Sequence, residues 1–374
     1  MNMSLKKKVL IGYIGDGHAG GVDKYILNLV SSVQKELYEI DLLTNRLNLE
    51  LYEKLKKHNI NLYEIPTLKH PIKQYKSIKR IIDKNKYDVT YFNISTAIHC
   101  IGLLAAKRCK VANRVVHSHS SGIDMENKYK RCIMTLIHSV GKKIVSGSAT
   151  TFIACSQKAG EWMCTPNILK GTNYFVVHNS VDLKKFVFDE GIRKTMREKM
   201  DWTNKKVLIH VANFTHQKNN EFMIEVFKKA REVQHNLVLV LIGKGNKEQK
   251  IRTMVKDYGL CENVLFLKDI SNVNDYLQAA DLFLLPSFFE GYPISALEAQ
   301  VCGLPCILSD KITSESKIAE NCVFMPLEIK TWVEQILCVQ ENKGRKAQSN
   351  IKEFDNSELS SKIEKLWCRQ TGEA

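Results

Sequence analysis

The chain has 374 residues, 44% of them hydrophobic and 25% charged, a globular composition long enough for two domains of ordinary size. No apolar run approaches the ~20 residues of a bilayer span, and the eleven cysteines, scattered without disulfide or zinc-site spacing, read as reduced thiols in a reducing compartment. The net charge of +15 is uneven: residues 1–175 hold 27 Lys/Arg against 13 Asp/Glu, a balance of +14, which leaves +1 for the remainder.

At the start, "KKKVLIGYIG" imitates a signal peptide, but its apolar stretch stops at Asp16 and no small-residue cleavage site follows. The expected location is therefore the cytoplasm. The run ends in Gly15-x-Gly17-x-x-Gly20 before the helical pattern "VDKYILNLV". Such a loop can serve a dinucleotide or cradle another phosphate ligand, because helix-start amides bind any phosphate. A dinucleotide site also wants an acid at the end of the second strand. Asp41 lies instead at the beginning of "IDLLT", whose end reads Thr44-Asn45-Arg46, and a further Gly21 follows the motif. A plain turn needing small residues fits as well, so the loop alone leaves the question open.

Onward, "YEIDLLT", "INLYEI", "YDVTYFN", "NRVVHSH", "TTFIACS" and "NYFVVHN" continue a series of β-rich runs separated by helical or turn segments. After the looser stretch 180–205 the series restarts with "KVLIHVAN", "LVLVLIG", "NVLFLKD", "ADLFLLPS", "LPCILSD" and "CVFMPL". Near-continuous apolar strands alternating with helices predict parallel sheets covered on both faces. The expected fold is α/β: two doubly wound, Rossmann-like domains, 1–182 and 183–355, facing across a cleft, with a C-terminal helix near 356–374 able to pack back on the first. Ligands in such folds sit beyond the carboxyl ends of strands. The densest basic stretch, residues 68–86, has seven Lys/Arg and one acid, with Ile72, Tyr75, Ile78 and Ile82 on one helical face. It reads either as an ordinary surface helix or as a contact for anionic lipid headgroups or a phosphate-bearing acceptor. No nucleic-acid signature accompanies it.

The most informative segment is "ADLFLLPSFFEGYPISALEAQVCGLPCILSD", residues 280–310. A strand ends at Pro286-Ser287, and Glu290 precedes Gly291-Tyr292-Pro293, with Pro293 suited to a helix start. Glu298 falls on the helix itself. Gly291 permits close backbone approach, free helix-start amides suit a phosphate, and the two carboxylates can hold hydroxyls on either side of it.

With Glu290-x7-Glu298 and its surroundings, the chain resembles the retaining glycosyltransferases of family 4, which have the two-domain GT-B fold. "HVANFTHQKNNEF", "LVLVLIGKG", "FVVHNSVDLKKF", "RVVHSHS" and "AGGVDKY" match other landmarks in order. The likeness is closest to bacterial exopolysaccharide, capsule and O-antigen members, and weakest over residues 45–90. It implies transfer of a hexose or N-acetylhexosamine from a nucleotide-sugar, a UDP-sugar by preference, to a growing, lipid-linked bacterial surface polysaccharide, and the basic first half with its 68–86 segment suggests docking on the inner membrane face to reach it. By the resemblance, Glu298 holds the ribose hydroxyls and Glu290 those of the transferred sugar. The amides of Tyr292, Pro293's successor Ile294 and Ser295, with Gly291, meet the diphosphate. Lys218 neutralises the leaving diphosphate, Gly243 and Gly245 line the nucleotide pocket, and Asp269 and Ile270 fall in the base-contacting loop. His119 lies near the reacting sugar, with His117 the weaker candidate, while Gly20 and Gly21 face the donor; the dinucleotide match is then coincidental.

Asn213 stands where many family members have arginine, which removes a charge but keeps a hydrogen-bond donor and leaves more of the diphosphate to Lys218. The hinge reads Asn179-Ser180 where glycine is common at the second position. No Asp-x-Asp pair occurs, so neither a metal nor another cofactor is expected. A sugar-nucleotide epimerase of related build and a catalytically silent nucleotide-sugar-binding partner are the competing readings; an NAD oxidoreductase is remote.

Overall fold

The computed structural model describes residues 6–15, 20–339, 345 and 351–369; Asp16 and Gly17 of the glycine loop and the last five residues of the 356–374 segment lie outside them. The chain divides into two compact units, 1–180 with 356–374, and 181–355.

The first unit carries seven parallel strands: β1 (Lys7–Ile14), β2 (Tyr38–Thr44), β3 (Asn61–Glu64), β4 (Val89–Ile94), β5 (Asn113–Ser118), β6 (Thr151–Ala154) and β7 (Tyr174–Val176). Their order is β3-β2-β1-β4-β5-β6-β7. In the second unit β8 (Lys206–Val211), β9 (Leu237–Ile242), β10 (Val264–Leu267), β11 (Leu282–Leu285), β12 (Cys306–Ser309) and β13 (Cys322–Met325) lie in the order β10-β9-β8-β11-β12-β13. Both sheets are doubly wound, and each reverses direction once, between β1 and β4 and between β8 and β11. Every expected β-rich run forms one of these strands.

The central strands are largely apolar because helices cover both faces. All six residues of β4 and all four of β11 are buried. Phe92 anchors one core among Leu10, Leu43, Leu103 and Val116, and Leu208, Leu241, Leu284, Phe227 and Trp332 anchor the other. Truncating Phe92 to alanine would cost about 3–5 kcal/mol in lost burial and cavity. The helix Asn356–Cys368 belongs to the first unit. Its Trp367 ring meets Tyr38 at 5.3 Å and Tyr91 at 5.6 Å, and Glu364 accepts from the backbone and side-chain amides of Gln34, both at 2.9 Å. Among the described residues no helix is long and apolar enough to cross a membrane.

Candidate active site

In the second unit the candidate side chains gather where β8 and β11 run side by side and the strand order reverses, the usual place for a ligand in this architecture. After β8 the chain turns through 212–219 into the helix Asn220–Val233; after β11 it passes through 286–293 into the helix Ile294–Val301. The two turns are stitched together. Phe288 N–H donates to the Gln217 carbonyl at 2.9 Å, the Gln217 amide donates to the Phe289 carbonyl at 2.7 Å and to Glu290 at 3.2 Å, and the His216 and Phe288 rings lie 5.0 Å apart. This brings Lys218 Nζ to 2.5 Å from Glu290 Oε1. Glu290 is only 6% exposed, so its charge needs such a partner.

Glu298 is 1% exposed and lies just past the first turn of the Ile294–Val301 helix. Pro293 sits one residue ahead of the helix as its N-cap, with extended backbone; Ile294, not the proline, is the first helical residue. Pro293 is buried with Gly291, Tyr292 and Ile294, and Ser295 is partly exposed. The first-turn amides of Ile294, Ser295 and Ala296 are the ones a helix leaves without intrahelical partners.

Gly243 and Gly245 have a packing role. A Cβ on Gly243 would lie 2.0 Å from the Ala212 carbonyl oxygen, and one on Gly245 2.3 Å from that of Phe214. These glycines let the turn after β9 press against residues 212–214, tied by Phe214 N–H to the Lys244 carbonyl at 3.0 Å. Asn213 is thereby held at the site's edge. Asp269 pairs with Lys244 at 3.1 Å, and its neighbour Ile270 is partly exposed.

Sequence reasoning passed over His210. It is fully buried in β8, and its Nδ1 donates to the Leu284 carbonyl at 2.7 Å, which leaves Nε2 a bare acceptor with no partner among the described residues. Burial, with Lys218 adding repulsion, holds its pKa down to about 4. Asn220 and Ser287, on the same two connections, are also buried with unpaired side-chain atoms. The signal was present: a lone polar residue inside the apolar run "VLIHV".

The first unit presents a different assembly at its own switch point. His119, just beyond β5 and partly exposed, donates from Nε2 to Asn93 Oδ1 at 2.9 Å; Asn93 in turn donates to the Gly12 carbonyl at 3.3 Å. Its Nδ1 is left as an acceptor. The His117 ring lies 4.1 Å from that of His119, tilted against it, but is fully buried, its Nδ1 2.6 Å from the Tyr91 hydroxyl, which lies 2.6 Å from that of Tyr25. Burial lowers the His119 pKa to about 3 and that of His117 well below the ordinary value. Both are neutral at physiological pH. Gly20 and Gly21 open the helix Gly21–Ser32, and a Cβ on either would meet no atom of the described residues within 4 Å. Gly15 N–H donates to Asp23 Oδ1 at 2.7 Å.

Two family profiles cover most of the chain: that described as Glycosyltransferase Family 4 matches residues 19–185, and that described as Glycosyl transferases group 1 matches 192–354. EpsF of Bacillus subtilis (strain 168) is 25% identical over 359 residues, spanning 94% of this chain and 92% of its own. The UDP-Gal:alpha-D-GlcNAc-diphosphoundecaprenol alpha-1,3-galactosyltransferase of Escherichia coli is 28% identical over 309 residues, 76% of this chain and 78% of its own. Among solved structures, Anabaena HepE in complex with UDP-glucose superposes with a TM-score of 0.78 at 16% identity, over 96% of this chain and 98% of that one. With its two parallel sheets, its Glu290-x7-Glu298 turn and these matches, the chain belongs to glycosyltransferase family 4 and is a glycosyltransferase of the GT-B fold.

Proposed function

We propose that the protein is a retaining enzyme that moves a hexose or N-acetylhexosamine from a UDP-sugar to a growing, lipid-linked bacterial surface polysaccharide. The observation that carries this reading is the largely buried Lys218–Glu290 pair at the β8/β11 switch point, with buried Glu298 on the helix that follows. A carboxylate held by one ammonium in a water-poor turn can accept sugar hydroxyls while that ammonium faces the phosphates. UDP is bound in the HepE structures, and two relatives are named for diphosphoundecaprenol-linked acceptors.

In this reading Glu298 accepts from the ribose hydroxyls, Glu290 from the transferred sugar, and the amides from Tyr292 to Ser295 meet the diphosphate. Lys218 stabilises charge on the departing diphosphate, an electrostatic effect that often lowers the barrier more than any other, with Asn213 as an uncharged donor beside it. Gly20 and Gly21 offer backbone to the donor, and neutral His119 takes the side of the reacting sugar as a hydrogen-bond partner. The bond from the anomeric carbon to the diphosphate breaks, the acceptor hydroxyl oxygen attacks on the same face, and its proton passes to the leaving phosphate oxygen. Neither metal nor cofactor takes part. The enzyme works at the cytoplasmic face of the membrane, and the basic 68–86 segment draws it to anionic lipid.

The test is transfer from UDP-, GDP- and ADP-sugars to a lipid-diphosphate glycan, with the anomeric configuration of the product read by NMR. Retained configuration with a UDP-sugar supports the reading. Inversion, or a changed sugar nucleotide formed without acceptor, overturns it.

A further inference from the structure

The helix Lys128–Ser148 in the first unit carries none of the residues of the two polar clusters. Its C-terminal half is pinned: His138 stacks on Trp162 at 3.9 Å and accepts the Ala97 N–H at 3.0 Å. Gly141 runs so close to Ala97 that a Cβ would lie 2.4 Å from its carbonyl oxygen. These contacts set the rotation of the helix, and that rotation turns an apolar stripe outward. Tyr129, Ile133, Leu136, Ile137 and Val140 are 84, 60, 68, 45 and 56% exposed, and Cys132 is exposed among them. At 3.6 residues per turn these six positions share an arc of roughly 140°. The helix Pro71–Asn85 shows the contrast: its Ile78 and Ile82 are buried in the core.

A patch of this kind on one helix calls for a partner, and its charge selects one. The segment carries Lys128, Lys130, Arg131, Lys142 and Lys143 and no acid; the nearest acids in the chain, Asp124 and Glu126, lie in the loop before it. A second copy docked stripe to stripe would bring cations against cations. An anionic bilayer surface accepts both features, apolar side chains at the acyl boundary and lysines at the headgroups.

We infer that the helix Lys128–Ser148 is an interfacial anchor that lays this stripe into an anionic lipid surface. The inference draws its biological sense from the lipid-linked acceptor proposed above, but it stands on exposure and charge alone. The helix Pro71–Asn85, whose Lys73, Lys76 and Arg80 are exposed, then adds long-range attraction without insertion.

The experiment uses the full chain and phosphatidylcholine vesicles with and without phosphatidylglycerol. Wild type should co-sediment with the anionic vesicles, and a Tyr129→Trp reporter should shift to the blue on binding. The triple variant Ile133→Ser, Leu136→Ser, Ile137→Ser alters only exposed positions; it should keep its melting temperature and bind the vesicles at least about tenfold more weakly. Vesicle binding that survives the triple change, or no blue shift, overturns the inference. So does a wild-type dimer in sedimentation velocity that the triple change dissolves, since the stripe would then serve a second copy. UDP affinity of the wild type by calorimetry separates the two readings: absent vesicle binding with intact UDP binding sinks only the anchor, and the converse sinks only the donor assignment.

Discussion

Each unit builds its polar cluster at the same topological place, and the two clusters differ in kind. At the β1/β4 switch point and the adjoining end of β5 the side chains that bond one another are neutral, with Tyr25, Tyr91, His117, Asn93 and His119 exchanging hydrogen bonds among uncharged partners, while the Asp23 carboxylate turns to the Gly15 N–H. At the β8/β11 switch point they are ionic, with Lys218 against Glu290 and buried Glu298 nearby. Charge placed where a diphosphate leaves stabilises the transition state strongly, whereas a neutral imidazole orients hydroxyls without competing for that charge. Under the proposed function, this architecture, used twice in one chain, divides electrostatics from positioning.

The sharpest way to break that division is Lys218→Ala. Transfer should fall by about 10²–10³-fold in kcat, as when one electrostatic stabiliser is removed. The Glu290 carboxylate, left buried without its cation, should also cost up to about 3 kcal/mol of stability, the low end for a broken buried pair because the ammonium keeps some water. Denaturant titration checks the second effect. Lys218→Arg should restore much of the stability, and an alanine variant of normal activity would remove Lys218 from the ionic half.

Glu298→Ala comes next, with donor affinity weakened by roughly 1.5–3 kcal/mol through loss of a charge-assisted hydrogen bond. Calorimetry with UDP on the folded variant decides it, and unchanged affinity would take Glu298 out of the site.

The buried imidazoles give a smaller, pH-dependent effect. Unfolded histidines protonate near 6.5, whereas folded His210 and His119 do so only near 4 and 3, and His117 well below its ordinary value. The stability they contribute is full above pH 6.5 and declines as pH falls toward those folded values, by about 1.4 kcal/mol per unit for each group. Replacing His210 by asparagine should flatten the acid limb of a melting-temperature profile. For the same reason kcat/KM should show no inflection between pH 6 and 7 arising from His119; one abolished by His119→Asn would show that it titrates there.

The smallest expected effect is none. Turnover should survive EDTA, and a loss restored by magnesium or manganese would mean that the ionic half needs more charge than Lys218 and the helix amides supply.

Much of this was legible in the sequence because the signals are local. Apolar runs such as "LVLVLIG", short, β-branched and alternating with helical segments, read as doubly covered parallel strands, and each expected β-rich run forms a strand. Glu290 and Glu298 were legible from one turn-helix segment. The Lys218–Glu290 pairing was not, because the partners lie 72 residues apart and meet only since β8 and β11 are neighbours. Gly243 and Gly245 look alike as pocket glycines or packing glycines until the 212–214 backbone is seen against them.

Sequence by itself determined the two α/β halves, the uneven charge and the acidic turn that marks the family, since apolar period, composition and short-range spacing act within one segment. Tertiary structure alone decided which cation the buried carboxylate faces, which histidine keeps a free acceptor and which apolar stripe meets water. The residues 72–82 and 129–140 carry a similar helical period, yet Ile78 and Ile82 of the first are packed into the core, with Ile72 alone of its face exposed, and the second points outward. Periodicity defines a face, and only packing decides what that face touches.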